Sequence, residues 1–186
     1  MISDTLIEIS NNFIKLSESS VEVIEKSANL IINTIKNKNK IMFCGNGGSA
    51  ADSQHLAAEL TGRYRKNRSP LPALALSTDT SAITAIGNDF SFDDIFTRQV
   101  EAIGKPGDIL YAISTSGKSN NIINAVNKAR SMNIKTIGVT GAGGGDLINI
   151  CDIVIKVPAN RPDRIQEMHI AIGQIICEII ENNLFN

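Results

Sequence analysis

The sequence has no tryptophan, 4% aromatic residues and three cysteines in 186 residues, and its 18 Lys+Arg against 19 Asp+Glu leave a formal net charge of −1. Each scarcity excludes something. Near-neutrality removes the strongly basic footprint of a general DNA- or RNA-binding domain, and so few aromatics cannot build stacking platforms for a single strand. Cys44, Cys151 and Cys177 are odd in number, scattered through apolar segments and without C-x-x-C spacing, which reads as reduced core thiols. No run approaches the ~18 uninterrupted apolar residues of a membrane helix. The first residues carry Asp4 and Glu8 where a secretory signal needs positive charge and then an apolar stretch. The expectation is one cytosolic domain whose partners are small or proteinaceous, with no nucleic acid and no membrane among them. A chain of this length buries roughly 70% of its unfolded surface, so its core needs no disulfide or structural metal.

What is present is a changing hydrophobic period. Between residues 5 and 38, Val21, Ile24, Ala28, Ile31, Ile32 and Ile35 recur at helical spacing, which predicts two N-terminal helices ending at the charged run Lys36-Asn37-Lys38-Asn39-Lys40. Ile41 to Cys44 is then a short apolar run closed by Gly45, as for a buried parallel strand. Similar runs follow at Pro72 to Ser77, Ile109 to Ser114, Thr136 to Thr140 and Ile153 to Val157. Helical patterns lie at 49–61, 93–103, 119–132 and from about 162 to 183. Alternation of this kind predicts an α/β fold with right-handed crossovers and a parallel sheet covered on both faces. Residues 1–38 form a helical flank and 39–186 the core of one domain. Ligands of such sheets bind outside the carboxyl ends of the strands, which directs attention to the turns.

The first turn, Gly45-Asn46-Gly47-Gly48-Ser49-Ala50, matches the dinucleotide fingerprint G-x-G-x-x-A after a strand and before a helix. The acidic residue that a dinucleotide site carries about 20 positions later is absent, so a binding turn for something other than NAD is the better reading. The second, Ser114-Thr115-Ser116-Gly117-Lys118-Ser119, imitates the end of a Walker A motif, but Ala112 stands where the first glycine must be, which disfavours an ATPase. Four hydroxyls and backbone N–H groups at a helix N-terminus remain, and they suit a phosphate monoester held without Mg²⁺. A plain N-cap needs one hydroxyl, and this turn supplies four. The third turn, Gly141-Ala142-Gly143-Gly144-Gly145-Asp146, reads as a flexible connector.

With only two histidines in the chain, each can be weighed. His55 and Glu59 are four residues apart, about 40° around a helix, so imidazole and carboxylate share a face and could grip a Zn²⁺-like ion or form an ordinary surface pair. On the last helix Gln166 and Gln174, about 80° apart, could converge, or could simply face solvent. The basic run Arg63 to Arg68 reads as a solvated face or, as an alternative, as one from which Arg63 reaches a sugar or phosphate oxygen of a bound substrate.

Together, Cys44-Gly45-Asn46-Gly47-Gly48-Ser49, His55-x-x-x-Glu59-Leu60-Thr61-Gly62-Arg63-Tyr64-Arg65, Gly87-Asn88-Asp89-Phe90, Ile113-Ser114-Thr115-Ser116-Gly117 and Arg164-Ile165-Gln166-Glu167-x-His169 resemble the phosphoheptose isomerase branch of the sugar-isomerase (SIS) domain family. The resemblance implies a flavodoxin-like, three-layer α/β/α sandwich with a five-stranded parallel sheet, and a homotetramer in the cytoplasm. It implies conversion of sedoheptulose 7-phosphate to D-glycero-D-manno-heptose 7-phosphate for surface polysaccharide, with one Zn²⁺ per subunit. Carried over residue by residue, it puts sugar contacts at Asn46, Gly47, Gly48, Asn88 and Asp89, and phosphate contacts at Ser114, Thr115, Ser116 and Ser119. Gln166 joins the substrate contacts and, with His55, Glu59 and Gln174, the zinc ligands. Glu59 and Gln174 are the catalytic positions. Many members resembling this chain carry His where it has Gln174; an amide oxygen can ligate zinc but cannot titrate. The hydroxyl proton then falls to a metal-bound water, or to His169 or Asp89. A second reading is a non-catalytic relative that binds the replication initiator DnaA; such proteins share the ending Gln166-Glu167-Met168-His169.

Overall fold

The structure is a computed structural model that describes residues 1–185. The five apolar runs form one parallel sheet of β1 (Ile41–Gly45), β2 (Ala73–Ala75), β3 (Ile109–Ile113), β4 (Lys135–Thr140) and β5 (Ile153–Lys156), in the order β2-β1-β3-β4-β5. The strands read as continuous apolar runs because helices cover both faces. Ile41, Phe43, Ile109, Tyr111, Ile137 and Val139 point into a core shared with α2 (Val21–Lys36), α3 (Gly48–Thr61) and α8 (Pro162–Leu184). The alternate residues Met42, Cys44, Leu110 and Ala112 pack against α5 (Thr97–Ile103), α6 (Asn120–Ser131) and α7 (Leu147–Ile150). Period-two alternation along each strand thus assigns its side chains to the two layers.

The remaining helices are α1 (Ile2–Ser19), which leads into α2, and α4 (Thr80–Asp89). Three elements depart from the expected pattern. The helix expected over 93–103 is a 3-10 turn at Phe92–Asp94 followed by α5. Helices α4 and α7 carry too few apolar positions to show a period; α4 is set instead by its N-cap, where Asp79 Oδ1 accepts the Ala82 N–H at 2.9 Å. The three cysteines are free thiols, with Cys44 and Cys177 buried and Cys151 half-buried. Burial pushes the Cys151 and Cys177 thiols up to about 12, so neither is a nucleophile at neutral pH. Among the described residues no helix is long and apolar enough to cross a membrane.

Candidate active site

Strand order reverses between β1 and β3, where Gly45 pairs in register with Ile113. The chain leaves β1 toward one helical layer through α3 and leaves β3 toward the other through α6, so the first and second turns face each other across the crevice that this topology opens. The Asn46 and Asn121 side chains tie them together by a reciprocal amide pair, each Nδ2 donating to the other's Oδ1 at 2.9 Å. Gly47 sits at φ +55°, which a residue with Cβ rarely adopts, and a Cβ at Gly48 would stand 2.7 Å from the Gln166 amide. Glycine there lets α8 bring Gln166 against the first turn.

In the second turn, Ser114 is buried; its Oγ accepts the Gly117 N–H at 3.2 Å and lies 3.3 Å from Ser119 Oγ. Ser116 Oγ accepts the Lys118 N–H at 3.1 Å. The backbone N–H groups of Thr115, Ser116 and Ser119 donate to no group among the described residues. Ser114, Thr115 and Ser119, with Asn46, Ser49 and Gln166, line one polar cleft at the N-terminus of α6, whereas Ser116 lines a neighbouring cleft with Lys118 and the glycine run. Oriented N–H groups, a helix N-terminus and rotatable hydroxyls form an anion site without a formal positive charge. The exposed Lys118 is absent from the lining of this cleft.

The third turn is a brace, contrary to the flexible connector expected. Gly141 N–H donates to Thr115 O at 3.0 Å and Asp146 N–H to Gly117 O at 2.9 Å, so the glycine run buttresses the second turn from behind. Gly117, at φ +64°, packs directly on Gly144, which leaves no room for a side chain.

Beside the cleft, α3 and α8 bring three predicted residues into contact. His55 Nε2 lies 3.0 Å from Glu59 Oε1, and Gln174 Nε2 lies 3.1 Å from His55 Nε2 and 3.3 Å from the same Glu59 oxygen. Gly173 permits the approach, since a Cβ there would meet Leu56 at 2.5 Å. The second Glu59 oxygen has no hydrogen-bond partner among the described residues. Among those residues no group of three or more His, Cys, Asp or Glu could hold a metal ion, but the trio adds an amide. Its separations of 3.0, 3.1 and 3.3 Å describe a nearly equilateral triangle. One face of a tetrahedral shell with zinc bond lengths of 2.0–2.1 Å has edges of about 3.3–3.4 Å. Rotating the Gln174 amide turns its oxygen to the same point, so the donor set fits a zinc-like ion. Gln166, eight residues earlier on α8, stands against Gly48 and makes no hydrogen bond to the trio.

Other predicted residues lie elsewhere. Asn88 and Asp89 are exposed at the end of α4, hydrogen-bonded to each other at 2.8 Å and outside the cleft lining. His169 is 2% exposed with neither ring nitrogen hydrogen-bonded, and burial lowers its pKa to about 4. It is an interior group outside the cleft lining and without a hydrogen bond to the trio. Arg63 is exposed, whereas Arg68 of the same run turns inward and its side chain is 2% exposed. Sequence reasoning missed Asn121, whose partner lies 75 residues away, and Asp52, one turn before His55 on α3. Burial raises the Asp52 pKa against an opposing pull from His55, and its Oδ2 has no partner. Only the i,i+3 spacing to His55 could have flagged it.

The sequence profile of the SIS domain matches residues 6–141. A phosphoheptose isomerase of Aliarcobacter butzleri is 56% identical over 91% of this chain and 90% of its own length. The chain belongs to the SIS-domain family, among the phosphoheptose isomerases. A phosphoheptose isomerase of Akkermansia muciniphila is 48% identical over 99% of this chain and 97% of its own. The solved phosphoheptose isomerase of Neisseria gonorrhoeae superposes with a TM-score of 0.92 at 42% identity, covering 97% of each chain. That of Francisella tularensis gives 0.94 at 36% identity, over 97% of this chain and 96% of its own.

Proposed function

We propose that this phosphoheptose isomerase family member interconverts sedoheptulose 7-phosphate and D-glycero-D-manno-heptose 7-phosphate through an enediol. The observation that carries the reading is an uncharged polar cleft, lined by Ser114, Thr115 and Ser119 and, through Ser49 and Gln166, by the same two helices, α3 and α8, that further along hold a carboxylate, Glu59, between His55 and Gln174. The cleft holds the phosphate end by hydroxyls and backbone N–H groups and fixes the distance to the carbonyl end. Asn46, Gly47 and Gly48 approach the sugar from the first turn, with Asn88 and Asp89 as further sugar contacts. Glu59 takes the proton from C1 of the ketose through its uncommitted oxygen and returns it to C2, while the O1 proton leaves and O2 gains one. Without metal, His55 and Gln174 hold the other carboxylate oxygen, which orients the base.

His55, Glu59 and Gln174, with Gln166 as the fourth donor, are proposed to hold one zinc ion per subunit. When bound, zinc supplies polarisation of the substrate carbonyl oxygen. Gln174 orients and ligates but carries no proton. A homotetramer in the cytoplasm, serving heptose synthesis for lipopolysaccharide, completes the proposal. The exposed apolar side chains Ile2, Leu6, Ile7 and Ile14 on α1 are compatible with assembly.

The alternative, a DnaA-binding protein without catalysis, has no use for the trio's geometry. The deciding experiment is turnover of sedoheptulose 7-phosphate with added Zn²⁺ and after chelation. Turnover that chelation abolishes and Zn²⁺ restores supports the reading. DnaA binding without turnover under either condition would replace it.

A further inference from the structure

The trio is assembled from two helices, so its geometry depends on the register of α3 against α8. At the far end of α3 stands a device suited to fix that register. Arg68 leaves the basic run and enters the protein, where its side chain is 2% exposed and that of Glu181 on α8 is 3% exposed. Arg68 Nε donates to Glu181 Oε1 at 3.0 Å, Nη1 to Leu60 O at 2.9 Å and Ser69 O at 3.0 Å, and Nη2 to Glu59 O at 2.8 Å. Glu59 and Leu60 lie in the last turn of α3, whose carbonyls have no helical partner, so the guanidinium caps that helix with a charge of the favourable sign. Glu181 accepts in turn from the N–H groups of Tyr64 at 3.3 Å and of Arg65 and Lys66 at 2.9 Å each. Those bonds and Arg68 hold its carboxyl below the usual range despite the opposing effect of burial. The Phe185 ring, 5.5 Å from the guanidinium carbon, closes the cage.

We propose that Arg68 and Glu181 are a positioning pair that holds the backbone of Glu59 in register with Gln174, acting on the reaction through those residues and not on substrate. The inference rests on the isomerase reading for its kinetic arm but not for its structural one. A buried ion pair is a poor source of net stability, since replacing both charges together is often neutral, and this separates positioning from mere folding.

The test uses Arg68→Met/Glu181→Gln, which removes both charges so that neither is left alone, and Arg68→Lys, which keeps the charge but loses the planar fork. The first readout is kcat per folded molecule beside the inhibition constant of inorganic phosphate. The second is the imidazole NMR signal of His55 in the metal-free protein, readily assigned because the chain has only two histidines. The expected result is a kcat loss of about 10- to 100-fold in the double variant, a part of it regained in Arg68→Lys, with phosphate inhibition changed less than about twofold. The His55 signal should move toward that of a free imidazole. An unchanged kcat with an unmoved His55 signal overturns the proposal, as does a loss of phosphate affinity equal to the loss of kcat. Should the double variant not fold, Arg68→Lys is read by the same criteria. Should the wild type turn over no sedoheptulose 7-phosphate, the isomerase reading fails and the His55 signal alone decides the pair.

Discussion

The cleft at the sheet end and the trio between the helices lie side by side but are built in opposite ways. The cleft takes most of its hydroxyls from one short turn, through Ser114, Thr115 and Ser119, with Asn46, Ser49 and Gln166 added from other elements, and the glycine run 141–145 braces that turn from behind. The trio joins the i,i+4 pair His55 and Glu59 to Gln174, 115 and 119 positions away in sequence, through side-chain contacts and, on our proposal, the Arg68–Glu181 clasp. A locally encoded site loses one interaction at a time when it is altered. A site that depends on helix register loses its function as a unit.

This difference orders the expected effects. Glu59→Gln, which keeps the shape and removes the base, should lower turnover by about three orders of magnitude and leave inorganic phosphate binding unchanged. Equal losses in both would erase the division between trio and cleft. The clasp variants come next, with the kinetic split described above. Smallest is Ser119→Ala, which should weaken phosphate inhibition by roughly tenfold, about 1.5 kcal/mol for one hydrogen bond to a charged group, with kcat little changed. A kcat effect as large as that of Glu59→Gln would show that the cleft does more than hold the anion.

The same division governs what the sequence made legible. All five strands could be read because burial on both faces makes each an unbroken apolar run, and the cleft could be read because its chemistry lies in adjacent residues. Two of the trio were visible as the i,i+4 pair His55 and Glu59. The approach of Gln174, the brace at Gly144–Gly145 and the Asn46–Asn121 pair were not, because each depends on where distant elements pack. Arg68 shows the limit most sharply. In sequence it is one of four basic residues in six and reads as solvated; only tertiary burial against Glu181 separates it from its exposed neighbour Arg63. His169 errs in the other direction, a histidine in a motif that packing turns into a neutral core residue.

The central claim is that Glu59 moves a proton between neighbouring carbons, and isomerisation in D₂O tests it most directly. A carboxylate with its side chain 20% exposed exchanges its proton with solvent between removal and return. The account predicts deuterium at C2 of the heptose 7-phosphate formed from unlabelled sedoheptulose 7-phosphate. Complete retention of the original hydrogen together with near-normal turnover in Glu59→Gln, the combination a direct hydride shift gives, would contradict it.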